Sequence, residues 1–351
     1  MRFEVSRVLD AIEARLTLDP ALARGVLDLA EVVRLVDLDG DHGKPASLLR
    51  LGHVLDAYAQ HLAEDGVAVF AVANRGLLSD LDLTSNERMA IRRWADDGLL
   101  EVLPQPEDRV LEVAEQLGVP VLSRQLFAPY ADRYAWLPRG LLAPAAQGLA
   151  TVGEGLPGPA ATPVLTRLWR CPEPTCPGFG APTGGQPPPR LRAAVPTCPR
   201  HDTRLVDAGP RPPARVLAVR VDGAVRGRFV VRPEAPVVVG RSPTPEGPGA
   251  SVSLGRLLGP EAMRWVSRNH LRLDLHGDVL VVTDRSTNGT VVRTPAGSVP
   301  LTAGQAYQLT ADDVVELYRG VELGRPDRLR GGTARPASVM AEAPTVAIRL
   351  R

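Results

Sequence analysis

Apolar positions at the start of the chain recur at helical spacing. Val5, Val8, Ile12 and Leu16 fall on one face, which predicts an amphipathic helix. From there to about residue 140, helical patterns alternate with short apolar runs. EVVRLVDLDG (31–40) reads as a buried strand ending in acids, VAVFAVAN (67–74) as a second, LLEVLP (99–104) as a third and VPVLS (119–123) as a fourth. Amphipathic patterns over 47–65, 84–97 and 107–117 predict the helices between them, the middle one carrying Trp94. Strands separated by helices at this spacing imply a parallel sheet sandwiched by helices.

The pattern then changes twice. Residues 141–165 are rich in Gly, Pro and Ala and read as a linker. Residues 166–207 hold many prolines and almost no core-forming periodicity, so a folded unit there needs a staple. Over 214–325 the chain turns to closely spaced β-runs, among them RVLAVRV, GRFVV, APVVVG, HLRLDL and DVLVVTD. Such runs, with turn signals between them, predict an antiparallel β-sandwich. Residues 326–351 are rich in Arg, Ala and Pro and read as a disordered tail. The expected fold is therefore multidomain, α/β (1–140) plus all-β, with a small unit between them.

Composition narrows the function classes. A length of 351 residues suits two or three folded units, and 44% apolar content is enough for sizeable cores. Lys+Arg is 41 against Asp+Glu 40, a net charge of +1, which argues against a protein whose main task is coating nucleic acid or an anionic membrane. Lys44 is the only lysine, so the arginine richness reflects composition bias more than function. No apolar run approaches the roughly 18 residues of a membrane span, and the N-terminus has no signal-peptide pattern. Three cysteines make no disulfide framework, and a cytoplasmic location is the expectation.

Three ordered segments of the β-rich region carry candidate chemistry. Gly240-Arg241 follows one strand, Ser267-Arg268-Asn269-His270 precedes another, and Asp284-Arg285-Ser286-Thr287-Asn288-Gly289-Thr290 follows a third. Arg241 and Arg268 offer positive charge to a phosphate dianion. The Ser267 and Thr287 hydroxyls and the loop amides offer directed donors. The Asn288 amide can donate and accept, which suits a peptide backbone, and Gly289 permits a tight turn. Order and spacing resemble the forkhead-associated (FHA) domain family. The resemblance implies a phosphothreonine-peptide-binding β-sandwich in which Arg241, Ser267, Arg268 and Thr287 face the phosphate and Asn288 grips the peptide main chain. Gly240, His270 and Gly289 would then be architectural. The loop between Arg241 and Ser267 is longer than usual for the family, and Arg293 stands where an Asn is often found.

Cys171-x4-Cys176 and Cys198-x2-His201 form two close pairs about twenty residues apart. The arrangement resembles a zinc ribbon of Cys3His type, and Zn²⁺ is the expected structural cofactor. The alternative is a linker with free thiols. The arginines around the cluster suit either a solvated surface or contact with RNA or an acidic protein.

In the N-terminal region, Asp37 and Asp39 follow the first predicted strand. Glu107 and Asp108 follow the third and open a helix, and Ser123-Arg124-Gln125 ends the fourth. The succession over about 30–137 resembles the NYN branch of PIN-like ribonucleases. That resemblance implies a carboxylate site for Mg²⁺ or Mn²⁺ built from Asp37, Glu107 and Asp108, with Asp39 or Asp132 as a further ligand. Gly40 and Gln125 stand where the family has Asn and an acid. The competing reading gives these acids only strand-ending and helix-starting roles.

Two functions follow. One is a phosphothreonine-dependent adaptor in Ser/Thr kinase signalling, its PIN-like domain degenerate or RNA-related. The other is a phosphorylation-regulated, metal-dependent endoribonuclease. Expected partners are a phosphothreonine protein and RNA, with no membrane. The tail sequence Ala343-Pro344-Thr345-Val346-Ala347-Ile348 makes phospho-Thr345 a further candidate ligand, in cis or from a neighbouring copy.

Overall fold

The first strand of the α/β sheet comes earlier than the valine-rich run suggests. In this computed structural model, which describes residues 2–137, 139–151, 163–233, 235–329 and 336–342, strand β1 is Ala23–Asp28. The run 31–40 instead holds the end of a short helix, α2 (Leu29–Val32), and a series of turns. Its amides are spent in short-range turns: Val33, Arg34, Leu35 and Leu38 donate to the carbonyls of Leu29, Glu31, Val32 and Leu35. The fully buried Arg50 guanidinium donates to the carbonyls of Val33 (2.7 Å), Asp41 (3.2 Å) and Lys44 (2.6 Å) and pairs with Asp39. One carbonyl of the run, Val33's, and two just beyond it thus serve this side chain instead of a ladder.

The chain forms two compact units. The first comprises Met1–Leu62, Val67–Arg211 and Ala337–Arg351, and the second Ala63–Gly66 and Pro212–Pro336.

In the first unit, β1 is joined by β2 (Ala68–Asn74), β3 (Leu100–Leu103), β4 (Val121–Leu122), β5 (Leu141–Ala145) and β6 (Gly148–Thr151). The order is β3-β2-β1-β4-β5-β6, parallel except for β6. Residues 141–151, expected to be linker, therefore extend the sheet. Residues 152–162 lie outside the described part.

Alternate residues of β1 and β2 feed two cores, as the period-two rule requires. Leu27, Val69, Ala71 and Ala73 pack with α1 (Arg2–Glu13), α3 (Leu49–Leu62) and α4 (Ser85–Asp96). Val26, Phe70 and Val72 pack on the other face with Val110, Leu111, Val113 and Ala114 of α5 (Glu107–Leu117). A sheet between two helical layers results, as the alternation implied.

The cysteine segment clusters with this sheet. Two small antiparallel pairs form it: β7 (Arg167–Arg170) with β10 (Val206–Pro210), and β8 (Arg190–Arg192) with β9 (Val195–Thr197). Arg109, fully buried on α5, pairs with Glu101 and Glu112 and donates to the carbonyls of Pro188 (2.5 Å) and Pro189 (3.2 Å). The Leu191 amide donates to Glu112. These bonds compensate for burying three charges.

The second unit is a sandwich. One sheet has the order β12-β11-β21-β20-β17-β18, from Arg215–Val221 (β11), Ala224–Val231 (β12), Val291–Thr294 (β17), Gly297–Pro300 (β18), Val314–Tyr318 (β20) and Val321–Gly324 (β21). The other is β14-β13-β15-β16-β19, from Val237–Gly240 (β13), Ala250–Ser253 (β14), Leu271–His276 (β15), Val279–Asp284 (β16) and Ala306–Leu309 (β19). Their inward residues, including Leu217, Val219, Val239, Leu271, Leu273, Val282, Val292 and Val315, form one core. A short helix, α6 (Pro260–Trp265), lies in the long connection from β14 to β15.

Residues 326–351 were expected to be a disordered tail. Those described at 336–342 instead include a 3₁₀ turn at Val339–Glu342, and Val339 joins the core beside α1 and α3. Thr345 lies outside the described residues.

Candidate functional site

The loops at one end of the sandwich bring the predicted residues together. Arg241, Ser267, Arg268, Thr287 and Asn288 line one open cleft of about 740 Å³, with Ser242, Thr244, Arg264, Asn269 and Arg285.

The local sequence explains the convergence. At Gly240 a Cβ would fall 2.7 Å from the carbonyl carbon of Arg268 and 2.8 Å from Ser267 O, so only glycine lets β13 approach the 267–268 loop. Across that approach, Arg241 N donates to Ser267 O (3.0 Å) and Ser242 N to Arg268 O (3.4 Å). The Arg241 guanidinium is steadied by Met263 O at 3.0 Å.

His270 organises the floor. It is fully buried, receives the Ser267 amide on Nδ1 (3.0 Å) and places Nε2 3.2 Å from Thr290 Oγ1. Thr290 donates onward to Asp284 (2.9 Å), which also accepts the Ser286 amide (2.9 Å). Burial pushes the His270 imidazole down to about 4, so it is neutral at physiological pH.

On this frame Ser267 Oγ receives the Thr287 amide (3.1 Å) and lies 3.2 Å from Thr287 Oγ1. Asn288 Nδ2 donates to Trp265 O (2.9 Å). Gly289 adopts φ +87°, the left-handed conformation that lets the loop turn back.

Electrostatically the cleft is cationic. Among the described residues Arg264 and Arg268 make no ion pair, while Arg285 is held by Glu246. Glu246 also pairs with Arg272 at 2.8 Å. Arg264 and Arg285 were missed from sequence as site residues. Arg285 sits inside the third motif, and its position alone signalled it. Arg264 reaches the cleft from α6, which no motif marks.

The second cluster is equally compact. Cys171, Cys176, Cys198 and His201 place their ligand atoms all within 4.8 Å of one another. Cys176 and Cys198 sulfurs are 3.8 Å apart, and His201 Nδ1 is 3.7 Å from Cys171 Sγ and 3.5 Å from Cys198 Sγ. A tetrahedral ion with metal–sulfur bonds of about 2.3 Å separates its sulfurs by roughly 3.8 Å. The three thiols are buried and undisulfided, and the four groups fit a metal ion. Among the described residues this is the one set of three or more His, Cys, Asp or Glu gathered that tightly.

The predicted carboxylates of the α/β sheet do not gather so. Asp37 and Asp39 end no strand. Asp37 is clamped by Arg124, which holds its carboxyl below the usual range, and Asp39 serves Arg50. Asp108 accepts from Arg133 (2.6 Å), Arg190 (3.4 Å) and the Tyr134 hydroxyl (3.3 Å). The acid that ends β1 is Asp28, which sequence reasoning missed. It is 5% exposed, caps α2 through the Ala30 amide (2.8 Å), and burial pushes it up to about 6, with smaller contributions from the Glu31 and Glu107 charges. Glu31, raised by burial, accepts Ser123 Oγ (2.6 Å) and the Arg124 amide (2.7 Å). No helix among the described residues is long and apolar enough to cross a membrane.

Comparison with known proteins finds likeness in one part of the chain. The FHA domain family model matches residues 237–318. Similar solved structures include the FHA domain of human APLF in complex with an XRCC1 bisphospho peptide, at 18% identity over 30% of this chain and 97% of that one (TM-score 0.23). The FhaA FHA domain complexed with the intracellular domain of Rv3910 is 28% identical over 31% and 96% (TM-score 0.21). The FHA domain of CT664 from Chlamydia trachomatis is 19% identical over 32% and 94% (TM-score 0.24). No curated protein sequence matches the chain.

Proposed function

We propose, from the FHA domain at residues 237–318, that the protein is a phosphothreonine-dependent adaptor in Ser/Thr kinase signalling. The observation that carries this reading is the gathering of Arg241, Arg264, Arg268 and Arg285 with the Ser267 and Thr287 hydroxyls around one open cleft. A phosphate dianion there meets charge-assisted donors from guanidinium, hydroxyl and amide groups together. Arg241, Ser267, Arg268 and Thr287 hold the phosphate, and Asn288 holds the peptide main chain. Phosphothreonine is preferred over phosphoserine because burial of its methyl group is worth about 1 kcal/mol. Arg241→Ala should lower affinity for a phosphothreonine peptide at least tenfold, the loss of one charge-assisted bond of about 1.5–3 kcal/mol. Calorimetry showing unchanged affinity would dismiss the assignment of Arg241.

The Cys171, Cys176, Cys198 and His201 group holds a structural Zn²⁺ in this reading. Four protein ligands leave no open position for a substrate, so the ion staples a segment with little core of its own.

One observation favours a second reading, a PIN-like endoribonuclease. The order β3-β2-β1-β4-β5 reverses between β1 and β4, and α/β sheets place ligands at such a switch point. Asp28 ends β1 there, and Glu31 bonds the Ser123 hydroxyl just past β4. Asp28 and Glu31, in place of Asp37 and Asp39, are the acids through which this reading would hold Mg²⁺ or Mn²⁺; among the described residues no third carboxylate gathers with them as tightly as the cysteine cluster does. Such an ion would activate water on an RNA phosphodiester. Mn²⁺-dependent RNA cleavage abolished in Asp28→Asn supports this reading. Absence of cleavage at saturating Mn²⁺ leaves the adaptor alone, with a domain that kept the fold.

A further inference from the structure

The described stretch of the tail docks on α1 and α3 around one carboxylate that gathers several of its donors. On α3, Asp56 accepts three hydrogen bonds from it: the Ser338 hydroxyl (2.5 Å), the Val339 amide (2.6 Å) and the Met340 amide (3.1 Å). Two apolar side chains follow. Val339 is 6% exposed within the core that includes Val8 and Ile12. Met340 lies over Gly52, where even one added methyl would collide with the thioether. The three bonds to one anion are the polar part of this docking and hold the backbone at Val339 and Met340 in place. Ser338 itself is exposed. It stands in the sequence Arg335-Pro336-Ala337-Ser338-Val339, with a basic residue three positions before the hydroxyl.

We infer that Ser338 is a phosphorylation site whose modification releases the 338–342 segment from α1 and α3. The phosphoryl donor is a nucleoside triphosphate, delivered by a Ser/Thr kinase that reads a basic residue upstream. Ser338 Oγ forms a bond to the γ-phosphorus, the bond from that phosphorus to the bridging oxygen breaks, and nucleoside diphosphate leaves. The hydroxyl proton passes to the kinase base. The product replaces the neutral hydroxyl that Asp56 accepts from with a group of charge about −1.5 to −2, whose dianion has no hydrogen to give. Two anions then share a space built for one proton donor, and the Val339 and Met340 amides lose their acceptor as the segment leaves. Release uncovers the apolar surface at Gly52 and Ile12. This inference is independent of the phosphothreonine reading.

The test uses the full chain with phosphoserine installed at position 338, compared with the unmodified chain by hydrogen exchange. The Val339 and Met340 amides should exchange at least about tenfold faster after phosphorylation. Asp56→Ala in the unmodified chain should reproduce that release. Ser338→Ala should stay protected, since both backbone bonds to Asp56 survive. Unchanged exchange in the phosphorylated chain, or equal loss of protection in Ser338→Ala, overturns the switch. Incubation with MgATP and a basophilic Ser/Thr kinase should label Ser338 in the wild-type chain and not in Arg335→Ala. Failure to label the wild-type chain overturns the assignment of the site.

Discussion

Replacing Gly240 by alanine probes the architecture of the cleft through one methyl group. The new Cβ would meet backbone only, 2.7 Å from the Arg268 carbonyl carbon and 2.8 Å from Ser267 O, with the Arg268 oxygen nearer still. No side-chain rotation relieves this. Ordinary C···O contacts begin near 3.3 Å, so the end of β13 and the 267–268 loop must separate by on the order of 1 Å. That movement breaks the bonds from Arg241 N to Ser267 O and from Ser242 N to Arg268 O. Overpacking costs about 1–3 kcal/mol, and two hydrogen bonds at about 0.5–1.5 kcal/mol each add about 1–3 more. A loss of about 4 kcal/mol is expected, or roughly thousandfold faster exchange of the β15 amides if they open with the whole unit. Phosphopeptide affinity should fall with it, because Arg241 and Ser267 are the groups pushed apart. Gly289→Ala is the control, since its Cβ meets nothing within 4 Å and pays only for φ +87°, about 1–2 kcal/mol. Exchange in Gly240→Ala within about 1 kcal/mol of the wild type would refute the close-approach argument.

Other predictions concern protonation and metal. His270 has a folded-state value near 4, below its ordinary 6.5. The unfolded chain therefore binds the extra proton between those values. The His270 contribution is complete above about pH 6.5 and is lost as pH falls toward 4, by up to about 3 kcal/mol. His270→Gln should flatten that part of the stability–pH curve in urea titrations; an unaltered slope contradicts the buried neutral imidazole. The purified chain should carry about one zinc per molecule by elemental analysis, and Cys198→Ser should lose it and expose the 171–205 segment to protease. A metal-free, protease-resistant wild-type chain contradicts the staple. Asp28→Asn keeps the α2 cap and removes a buried charge, so it should unfold at higher urea than the wild type at pH 7; a lower midpoint contradicts that assignment.

The cleft was legible because its signals act at the backbone. Gly240, Gly289 and the Ser267–His270 spacing are set by a close approach, a left-handed turn and a short loop, and each leaves a fixed residue type in the sequence. Helix α5 was legible for a similar reason, with acids at its start and Gly118 in the left-handed conformation at its end. Strand β1 was not, because Ala23, Arg24 and Gly25 dilute its apolar density while the denser run 31–36 lies next to it. That run is instead folded in short-range turns and gives the Val33 carbonyl to Arg50, a distant side chain no periodicity reveals. Strands β5 and β6 looked like linker because of Pro144 and small residues. β4 reaches only Leu141 and Leu142, so Pro144 stands beyond its ladder. The tail anchor is two apolar residues long, too short for any pattern.

The central claim is that the 237–318 domain reads phosphorylation of threonine. Its most direct test is the fluorescence anisotropy of a degenerate, labelled peptide pool with a fixed central threonine, titrated with the full chain in phosphorylated and unphosphorylated forms. The account predicts saturable binding of the phosphorylated pool, weaker binding of the phosphoserine equivalent and none of the unphosphorylated pool, with Arg268→Ala weakening the first. Equal binding of the phosphorylated and unphosphorylated pools would contradict it.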